Sequence, residues 1–425
     1  MIDIRQLREE PDAFIQAAQD KHIQADVERL LQVDAELKEV KSRLQDIATE
    51  KNRIGKSVPR LSGDDKAAAL AKLAEFKQQE ESLQNKARDL QPEFHALLLQ
   101  VPQPADAGVP VGKDDTENVE LRREGEIRQF DFEPKDHVEL GLSLGMMDIE
   151  RGVKLAGTRN YFLKGDGALL HWAVLRFAVD FMVQRGYTPM SVPLLMRDEA
   201  MQGTGYYPGS EDQTYRMEKD ELNLAGTAEV PLTAYHMGEI LAADALPVKF
   251  VALSSCFRRE AGAAGKDTYG LYRIHQFDKV EQVVICENDV EASNRFHEEI
   301  LANAEGVMKA LELPYRVVNV CTGDLGRGQA KKYDIEAWMP SRGNYCETHS
   351  ASKFYDFQAR RMNLRYKSPD AKKNIFCHTL NNTVIASPRV LIPLMELYQN
   401  ADGSISVPAV LRPYMNGKER IAPSA

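Results

Sequence analysis

The chain has 425 residues, of which 43% are apolar and 28% charged, and its formal net charge at pH 7 is -10. This composition excludes a disordered or fibrous protein, and the acidic balance excludes one that coats nucleic acid through a large basic face. The length predicts two or three domains, because single cores stop growing at roughly 250 to 300 residues.

The start of the chain and its cysteines indicate a cytoplasmic protein. The opening MIDIRQLREE has no apolar run, and the most apolar stretch, GALLHWAVLRFAVDFMV, is interrupted by His171, Arg176 and Asp180. We therefore predict no signal peptide and no membrane span. The five cysteines are widely spaced and form no CxxC pair, which favours a reducing compartment. The isolated pair Cys377 and His378 is more typical of core packing than of a metal site, so no zinc is expected.

The first hundred residues predict two long helices. Apolar residues recur every three or four positions over 30–47 and again over 73–97, which is the pattern of a coiled-coil seam. Between these runs, Gly55, Pro59 and Gly63 are expected to stop helix propagation. We therefore expect one antiparallel helical hairpin, roughly 45 Å long at ~1.5 Å per residue.

The connection between these two helices is basic. It carries Lys51, Arg53, Lys56 and Arg60 without an acidic residue among them. Two interpretations remain open at this point: a solvated dimerisation or spacer coiled coil, or a lever whose basic tip meets phosphates.

Beyond the hairpin, residues 101–115 are rich in proline, glycine and aspartate and predict a linker. We place the domains at 1–105 and 131–425, with a linker over 106–130. The second domain mixes predicted helices, such as 167–185 and 288–312, with strand-like runs. These runs are KFVALSSCF, QVVICE, YRVVNVCT, KKYDIEAWM and FQARRMNLRY. The strands lack a regular strand-helix-strand alternation, which favours an α+β fold with a largely antiparallel sheet flanked by helices.

The stretch FRREAGAAGKDTYGLYRIHQFDKVEQ combines charge, glycine and an aromatic ring. It predicts a strand ending at Glu260, the loop AGAAGKDTYG and a returning strand. Residues two apart share a face of a strand, so Arg258 lies with Glu260, and Arg273 lies with Phe277 and Glu281. Guanidinium groups, a ring and carboxylates together suit a nucleotide and an amino acid. The alternative is a surface ladder of salt bridges with Phe277 in the core.

The same stretch resembles motif 2 of the class II aminoacyl-tRNA synthetases, in the form FRxEAGxxGxDxxGLxRxHQFxKVE of the seryl-tRNA synthetases. The resemblance covers nearly the whole chain, because the helical hairpin and four further segments also match. These segments are GTAEVPL, YCETHSASKFYDFQARR, HTLNNTVIASPR and VPAVLRPYM. It implies a class II catalytic domain and a homodimer formed through the motif 1 helix, which ends at Pro193.

The resemblance implies a role for each matching residue on the ATP side. Arg258 matches the motif 2 arginine that holds the α-phosphate of ATP and the serine carboxylate. Glu260 matches the acid that contacts the adenine amine, and Phe277 matches the ring that stacks on adenine. Arg273 and Ile274 complete the matching ATP-binding residues of this motif.

Three residues outside motif 2 match further ATP contacts. Glu347 and Ser350 match positions that bind ATP through Mg²⁺. Arg389 matches the motif 3 arginine on the γ-phosphate, and it follows a proline at the predicted start of a helix, where the helix dipole would favour an anion. The resemblance thus implies Arg258 and Arg389 as catalytic residues.

The serine site implied by the resemblance comes from three segments. Glu281 and Thr383 match the groups that read the serine side chain and ammonium, and Asn381 belongs to the same segment as Thr383. Thr227 and Glu229 match a second serine-binding segment. A small site that hydrogen-bonds the hydroxyl would penalise alanine, whereas threonine must be excluded sterically.

The activity implied is that of a serine-tRNA ligase. Serine and ATP form seryl-adenylate, and the seryl group then passes to the 3′ end of tRNA(Ser). The hairpin would grip the long variable arm of the tRNA by shape and backbone. In this setting Lys51, Arg53, Lys56 and Arg60 become candidate tRNA-binding residues, and tRNA(Sec) is a further candidate acceptor.

The sequence departs from the family at a few positions. Tyr269 replaces an arginine common in the motif 2 loop, ASPR replaces a glycine-bearing version of motif 3, and Pro393 is expected to remove a hydrogen bond from the motif 3 helix. Three alternatives stay open: a relative that passes its amino acid to a carrier, a catalytically silent paralogue, and a structural coiled-coil protein. The intact hairpin argues against the first, and the retained Arg258, Glu260 and Arg389 argue against the second.

Overall fold

The computed structural model describes residues 1–263, 267–368 and 372–423. The chain divides into two compact units, Ile2–Pro102 and Gln103–Ala425 with Met1. Positions 264–266 of the predicted loop AGAAGKDTYG lie outside the described residues. Within the described ranges, the helices are all too short or too polar to cross a bilayer.

The first unit is a helical hairpin with two short helices before it. Its helices are α1 (Ile4–Glu9), α2 (Pro11–Asp20), α3 (Val27–Ser57) and α4 (Gly63–Gln100). Ion pairs join Arg29 to Glu93 at 2.7 Å and Lys51 to Glu80 at 2.5 Å. As the residue number rises along α3, the number of the paired residue on α4 falls, so the two helices run antiparallel. The predicted helical hairpin is therefore confirmed.

Burial in the hairpin follows the predicted seam. Leu30, Val33 and Leu37 are buried on α3, and the seam positions of α4 are less exposed than most of their neighbours. The expectation that Gly55 ends the first helix was wrong, since α3 continues through it to Ser57. A single glycine costs a helix only about 1 kcal/mol, which the packing of the flanking turns offsets.

The second unit contains shorter helices arranged around strands. The helices are α5 (His137–Ser143), α6 (Ile149–Ala156), α7 (Asp166–Val183), α8 (Asp198–Thr204), α9 (Glu229–Thr233), α10 (Val290–Ala310), α11 (Phe357–Met362) and α12 (Leu391–Leu397). The strands are β1 (Val119–Glu124), β2 (Met147–Asp148), β3 (Phe162–Leu163), β4 (Thr188–Met190), β5 (Leu195–Met196), β6 (Arg216–Met217), β7 (Leu222–Leu224), β8 (Ile240–Ala242), β9 (Val248–Phe257), β10 (Gln276–Cys286), β11 (Tyr315–Asn319), β12 (Lys331–Met339), β13 (Asn344–Tyr355), β14 (Arg365–Lys367), β15 (Ile375–Phe376), β16 (His378–Ser387), β17 (Ile405–Ser406) and β18 (Arg420–Ile421).

The main sheet has the strand order β1-β11-β12-β13-β16-β10-β9-β4. Its pairs are antiparallel except for β4 beside β9, which confirms the predicted α+β fold. Helices α7 and α10 cover one face and bury Val280 and Val284 of β10. Phe277 and Glu281 alternate with these residues and point to the other face, where a cavity opens.

Two segments differ from the sequence expectation. The predicted linker over 106–130 contains β1, which pairs with β11 at the edge of the main sheet. The run FQARRMNLRY, predicted as a strand, forms α11 and then β14. Its first six residues include the good helix formers alanine, arginine and methionine, and Asn363 ends the helix at φ 54°, in the left-handed region.

The hairpin of motif 2 is shorter than predicted. Strand β9 ends at Phe257, and the returning strand β10 begins only at Gln276. Glu260 adopts φ 52°, a left-handed conformation that cannot continue a strand. Arg273 therefore lies on a loop, so the strand-face argument that grouped it with Phe277 was wrong, although both residues reach the same cavity.

Candidate active site

A cavity of about 220 Å³ opens on the sheet face opposite α7 and α10. Strands β10, β13 and β16 supply its floor, and the segments that follow β9 and precede β10 supply one wall. Most of the predicted ATP-binding and serine-binding residues line it, although they are spread over 160 positions of the chain. The lining includes Glu229, Arg258, Glu260, Arg273, Ile274, Phe277, Glu281, Glu347, Ser350, Asn381, Thr383 and Arg389.

Thr227 lies just behind this lining and is 1% exposed. Its hydroxyl donates to the Glu281 carboxylate over 3.5 Å and accepts the backbone N–H of Glu229 over 3.2 Å. The threonine thus links its own segment to Glu281, and so joins two of the three segments from which the predicted serine site comes.

The predicted adenine side carries a cation and a ring in contact. The guanidinium carbon of Arg258 lies 5.2 Å from the centre of the Phe277 ring, and its Nε donates to the Gly226 carbonyl over 3.3 Å. Glu260 and Arg273 form an ion pair at 2.8 Å. A flat group inserted beside Phe277 would meet an aromatic face, a carboxylate acceptor and guanidinium donors.

Arg389 occupies the other end of the cavity, where backbone groups fix it. Its Nε donates to the Tyr272 carbonyl over 3.2 Å, and its Nη1 donates to the Glu347 carbonyl over 3.0 Å. Its guanidinium also lies over the Tyr272 ring at 4.4 Å, and Arg342 covers the same ring at 4.0 Å. Arg389 is therefore oriented before any anion arrives, which reduces the cost of ordering it.

The helix-dipole argument for Arg389 does not hold. Helix α12 has only seven residues and begins at Leu391, two positions beyond Arg389. Pro393 lies in the first turn of α12, where a backbone N–H has no intrahelical partner, so the expected loss of a hydrogen bond does not occur.

The narrow end of the cavity is polar and buried. Lys279 forms an ion pair with Glu281, and both side chains are nearly inaccessible. Glu229 accepts from Gln358 over 2.9 Å and from Tyr206 over 3.2 Å. Burial raises the pKa of Glu229 to about 7, and the neighbouring Glu281 carboxylate adds to this effect.

Asn381 adds an unused donor to the same end. Its side chain is 5% exposed, and its Nδ2 has no hydrogen-bond partner among the described residues. A buried donor left unpaired costs about 1 to 3 kcal/mol, so a ligand oxygen beside it would be favoured.

The oxygen groups near Arg389 fit a magnesium ion that is held largely by phosphate. Glu347 presents a carboxylate and Ser350 a hydroxyl to the cavity, and the Oδ1 of the adjoining Asp334 has no partner among the described residues. Partial desolvation opposes ionisation of Glu347, whose side chain is 47% exposed, yet the charges of Arg389, Lys332 and Arg258 hold its pKa below the ordinary value. The described ranges contain no cluster of three or more His, Cys, Asp or Glu that could hold a metal ion.

The candidate tRNA-binding residues lie in the hairpin unit, and their surroundings divide them into two pairs. Lys51 is paired with Glu80 at 2.5 Å, and Arg53 is paired with Glu50 at 2.7 Å. No ion pair involves Lys56 or Arg60 within the described part of the chain. These last two are the cations whose charge is not already offset.

Sequence reasoning missed five cavity residues that carry a charge or a hydroxyl: Tyr206, Tyr272, Lys279, Thr348 and Ser352. Lys279 follows Phe277 by two positions, so the alternation of β10 would have placed it on the cavity face. Tyr206 comes from the loop after α8, and no periodicity in that segment indicates where its side chain lies. Tyr269, which departs from the motif, is 58% exposed and donates from its hydroxyl to Asp136 over 2.8 Å.

The two units match two family models. The seryl-tRNA synthetase N-terminal domain matches residues 1–104, and the tRNA synthetase class II core domain (G, H, P, S and T) matches residues 213–398.

Relatives of similar length align with the whole chain. The serine-tRNA ligase of Deinococcus radiodurans is 49% identical over 99% of this chain and 98% of its own length. The serine-tRNA ligase of Symbiobacterium thermophilum is 42% identical over 97% and 98% of the two chains.

Solved structures are similar along the same length. The seryl-tRNA synthetase from Pyrococcus horikoshii, complexed with ATP, has a TM-score of 0.94 and 37% identity, with 100% of both chains covered. The cytoplasmic serine-tRNA ligase from Naegleria fowleri, in complex with AMP, has a TM-score of 0.88 and 29% identity over 100% of this chain and 99% of that one.

Proposed function

The chain belongs to the seryl-tRNA synthetase family, and from this membership we propose that its cavity carries out both steps of serine-tRNA ligation. The observation that supports this most directly is the joining of two kinds of site in one cavity. Arg258 and Arg389 offer fixed guanidinium groups to phosphates, and a buried polar pocket around Glu281 and Thr383 adjoins them. ATP and a small hydroxylated amino acid fit these two parts.

In the first step the serine carboxylate attacks the α-phosphorus of ATP, and pyrophosphate leaves. Arg258 binds the serine carboxylate and the α-phosphate and offsets the charge that develops there. Phe277 stacks on adenine, and Glu260 accepts from the adenine amine. Positioning and electrostatic stabilisation supply the rate, since the reaction needs no covalent bond to the protein.

Arg389 binds the γ-phosphate of ATP. Glu347 and Ser350 would hold Mg²⁺ together with the phosphates, and that ion would supply positive charge to the phosphate oxygens. The backbone hydrogen bonds of Arg389 keep its guanidinium in one orientation for this task.

Serine is selected at the narrow end of the cavity. Its ammonium lies near Glu229, Glu281 and the Thr227 hydroxyl, and its hydroxyl meets Thr383 and the unused donor of Asn381. Alanine would leave these buried groups unpaired, at a cost of about 1 to 3 kcal/mol for each group.

In the second step the terminal ribose hydroxyl of tRNA(Ser) attacks the carbonyl carbon of seryl-adenylate, and AMP leaves. The hairpin unit binds the long variable arm of the tRNA through shape and phosphate contacts. tRNA(Sec) stays a candidate acceptor. The reaction and the free cysteines favour work in the cytoplasm.

We also propose a homodimer that forms through α7. The helix exposes Trp172 at 61% and Val183 at 43%, which is unusual for large apolar residues on one helix. Sedimentation of the full chain tests this proposal, and a monomer at micromolar concentration would overturn it.

The function is tested by exchange of labelled pyrophosphate into ATP with each of the twenty amino acids, followed by charging of total tRNA. We expect exchange with serine alone and serylation of tRNA(Ser). Exchange with another amino acid would overturn the substrate assignment. Exchange with serine but without charging of any tRNA would favour a relative that loads a different acceptor.

A further inference from the structure

Glu229 is a partly buried carboxyl group in the lining of the cavity. No ion pair involves it within the described residues, whereas the neighbouring Glu281 is paired with Lys279. Two carboxyl groups therefore share one lysine at the closed end of the cavity. Burying an ionised carboxylate without a cation is costly, and a second carboxylate nearby increases the cost.

Two side chains hold Glu229 in place. Gln358 is fully buried and donates to Glu229 Oε1 over 2.9 Å. Its own orientation is fixed, because it also donates to the Thr204 carbonyl over 2.9 Å and accepts from the Thr379 hydroxyl over 2.6 Å. The amide can therefore only donate to Glu229.

Tyr206 differs from Gln358 in what it can offer. Its hydroxyl lies 3.2 Å from Glu229 Oε2. A hydroxyl donates to a carboxylate and accepts from a carboxylic acid, so Tyr206 can satisfy Glu229 in either protonation state. Burial, with the Glu229 charge adding to it, holds the pKa of Tyr206 well above 10, so the phenol keeps its own proton.

The charged or titratable groups around Glu229 are few. Glu281 and Lys279 face it from β10, Tyr206 from the loop after α8 and Arg258 from the segment that follows β9. Arg258 makes no ion pair with Glu229 in the described structure, and in the proposed function it is committed to the substrate carboxylate and phosphate. The ammonium group of a bound amino acid would supply the positive charge that Glu229 lacks.

We propose that Tyr206 and Gln358 are positioning residues that orient the Glu229 carboxyl group, and that this group, protonated in part of the free protein because it lies beside Glu281 without a cation of its own, gives up its proton when the substrate ammonium enters. Binding of serine is then coupled to release of a proton to solvent. This inference rests on the proposed function, because it takes serine as the ligand of the cavity.

The proposal predicts how proton release on serine binding depends on pH. With the pKa of Glu229 raised to about 7 by burial and by Glu281, the free protein holds about nine tenths of this proton at pH 6, half at pH 7 and one tenth at pH 8. Release on binding follows the same fractions. Below pH 7 the apparent affinity for serine is expected to fall about tenfold for each pH unit.

Calorimetric titration of the full chain with L-serine, without ATP, tests the coupling. Titrations at pH 6, 7 and 8 in two buffers of different ionisation enthalpy give the number of protons released. We expect values near those fractions in the wild-type protein and less than about a tenth of a proton at each pH in Glu229→Gln. Buffer-independent heats in the wild-type protein at pH 6, or unchanged release in Glu229→Gln, would overturn the proposal.

A matched pair of variants tests the positioning residue. Tyr206→Phe removes the hydroxyl at Glu229, whereas Tyr207→Phe removes a neighbouring hydroxyl that donates to Asn223 over 2.8 Å and does not line the cavity. We expect Tyr206→Phe to raise the KM for serine about tenfold with no change in the KM for ATP, and Tyr207→Phe to change neither. Identical serine KM values in the two variants would refute the role of Tyr206.

The exchange assay separates the two proposals. Failure of serine to support exchange would remove the proposed function itself. Normal exchange with serine, together with no proton release, would leave that function intact and remove only this inference.

Discussion

Arg258 and Arg259 are neighbours in the chain but have different surroundings. Arg258 lines the cavity above Phe277, whereas Arg259 is not part of the lining and its backbone N–H donates to the Gln213 carbonyl. We predict that Arg258→Ala lowers serine-dependent pyrophosphate exchange about a thousandfold, because it removes the preorganised cation at the reacting phosphate.

Arg259→Ala is the matched control for that change, and its exchange rate is expected to stay within about twofold of the wild-type rate. Circular dichroism of both variants shows whether each retains the fold. A normal exchange rate in folded Arg258→Ala would contradict the anion-binding role.

Cavity residues could be predicted from the sequence where the alternation of a strand placed them on one face. Phe277 and Glu281 share a face of β10 by simple alternation, and the same alternation would have found Lys279. Tyr206 was not predictable in this way, because only the path of the chain between α8 and the sheet brings it to Glu229. Periodicity reports which face a residue occupies, and it carries no information about contacts between distant segments.

Two glycines near the tip of the hairpin differ in backbone conformation, so replacement by alanine is expected to affect them in opposite ways. Gly55 lies inside α3 with open space around its missing side chain, whereas Gly63 has φ 56° at the start of α4. We predict that Gly55→Ala stabilises the hairpin by about 0.5 to 1 kcal/mol, because alanine restricts the unfolded chain and favours the helix.

Gly63→Ala is expected to destabilise the hairpin by about 1 to 2 kcal/mol, because an L-residue is strained at positive φ. Hydrogen exchange of the α3 and α4 amides measures both effects within the full chain. Stabilisation by both substitutions would show that φ at Gly63 is not a constraint.

The four cations of the hairpin tip are expected to differ in their contribution to tRNA binding. Lys56 and Arg60 have no ion-pair partner among the described residues, whereas Lys51 is paired with Glu80 and Arg53 with Glu50. We predict that the double variant K56A/R60A lowers the slope of log affinity for tRNA(Ser) against log salt by about 1 to 2, since each lost phosphate contact removes close to one counterion.

The double variant K51A/R53A is the matched control and is expected to change that slope by less than about 1, because its cations already have partners. Filter binding at several salt concentrations gives both slopes, and serine-dependent exchange should be unaffected in both variants. Equal slopes in the two variants would remove the distinction between free and paired cations.

Helices with a long periodic pattern were predictable, and short elements were not. The seam of α3 and α4 repeats over many turns, so a single glycine did not obscure it. The six residues of α11 are too few to show a period, and the aromatic and arginine content of FQARRMNLRY is equally compatible with a strand. Asn363 and Leu364 alone separate α11 from β14, and an asparagine such as the left-handed Asn363 occurs in many other settings.

At the scale of the whole molecule, the division into a helical unit and a sheet unit followed from the change in periodicity near residue 100. The limits of the second unit could not be predicted from that change, because β1 joins the main sheet by pairing with β11, almost 200 positions later. A short strand in a segment rich in proline, glycine and charge has no local signal strong enough to separate it from a linker. Long-range pairing decides such cases.

The two units are expected to divide the reaction between them. All the groups proposed for adenylate formation lie in the second unit, and the first contributes none of them. We predict that deletion of residues 30–100 leaves serine-dependent pyrophosphate exchange within about threefold of the wild-type rate and lowers charging of tRNA(Ser) at least about a hundredfold. The reason is that adenylate formation needs only ATP and serine, whereas transfer needs the tRNA to be held by backbone contacts.

The double variant K56A/R60A is the graded control for this deletion, because it removes only the free cations of the tip and keeps the helices. Its charging defect should shrink as the tRNA concentration rises, whereas the deletion should remain defective at every concentration reached. Parallel exchange and charging assays on the two proteins measure this difference. Loss of exchange together with charging in a deletion variant whose circular dichroism shows an intact sheet unit would show that the hairpin takes part in the chemistry of the first step.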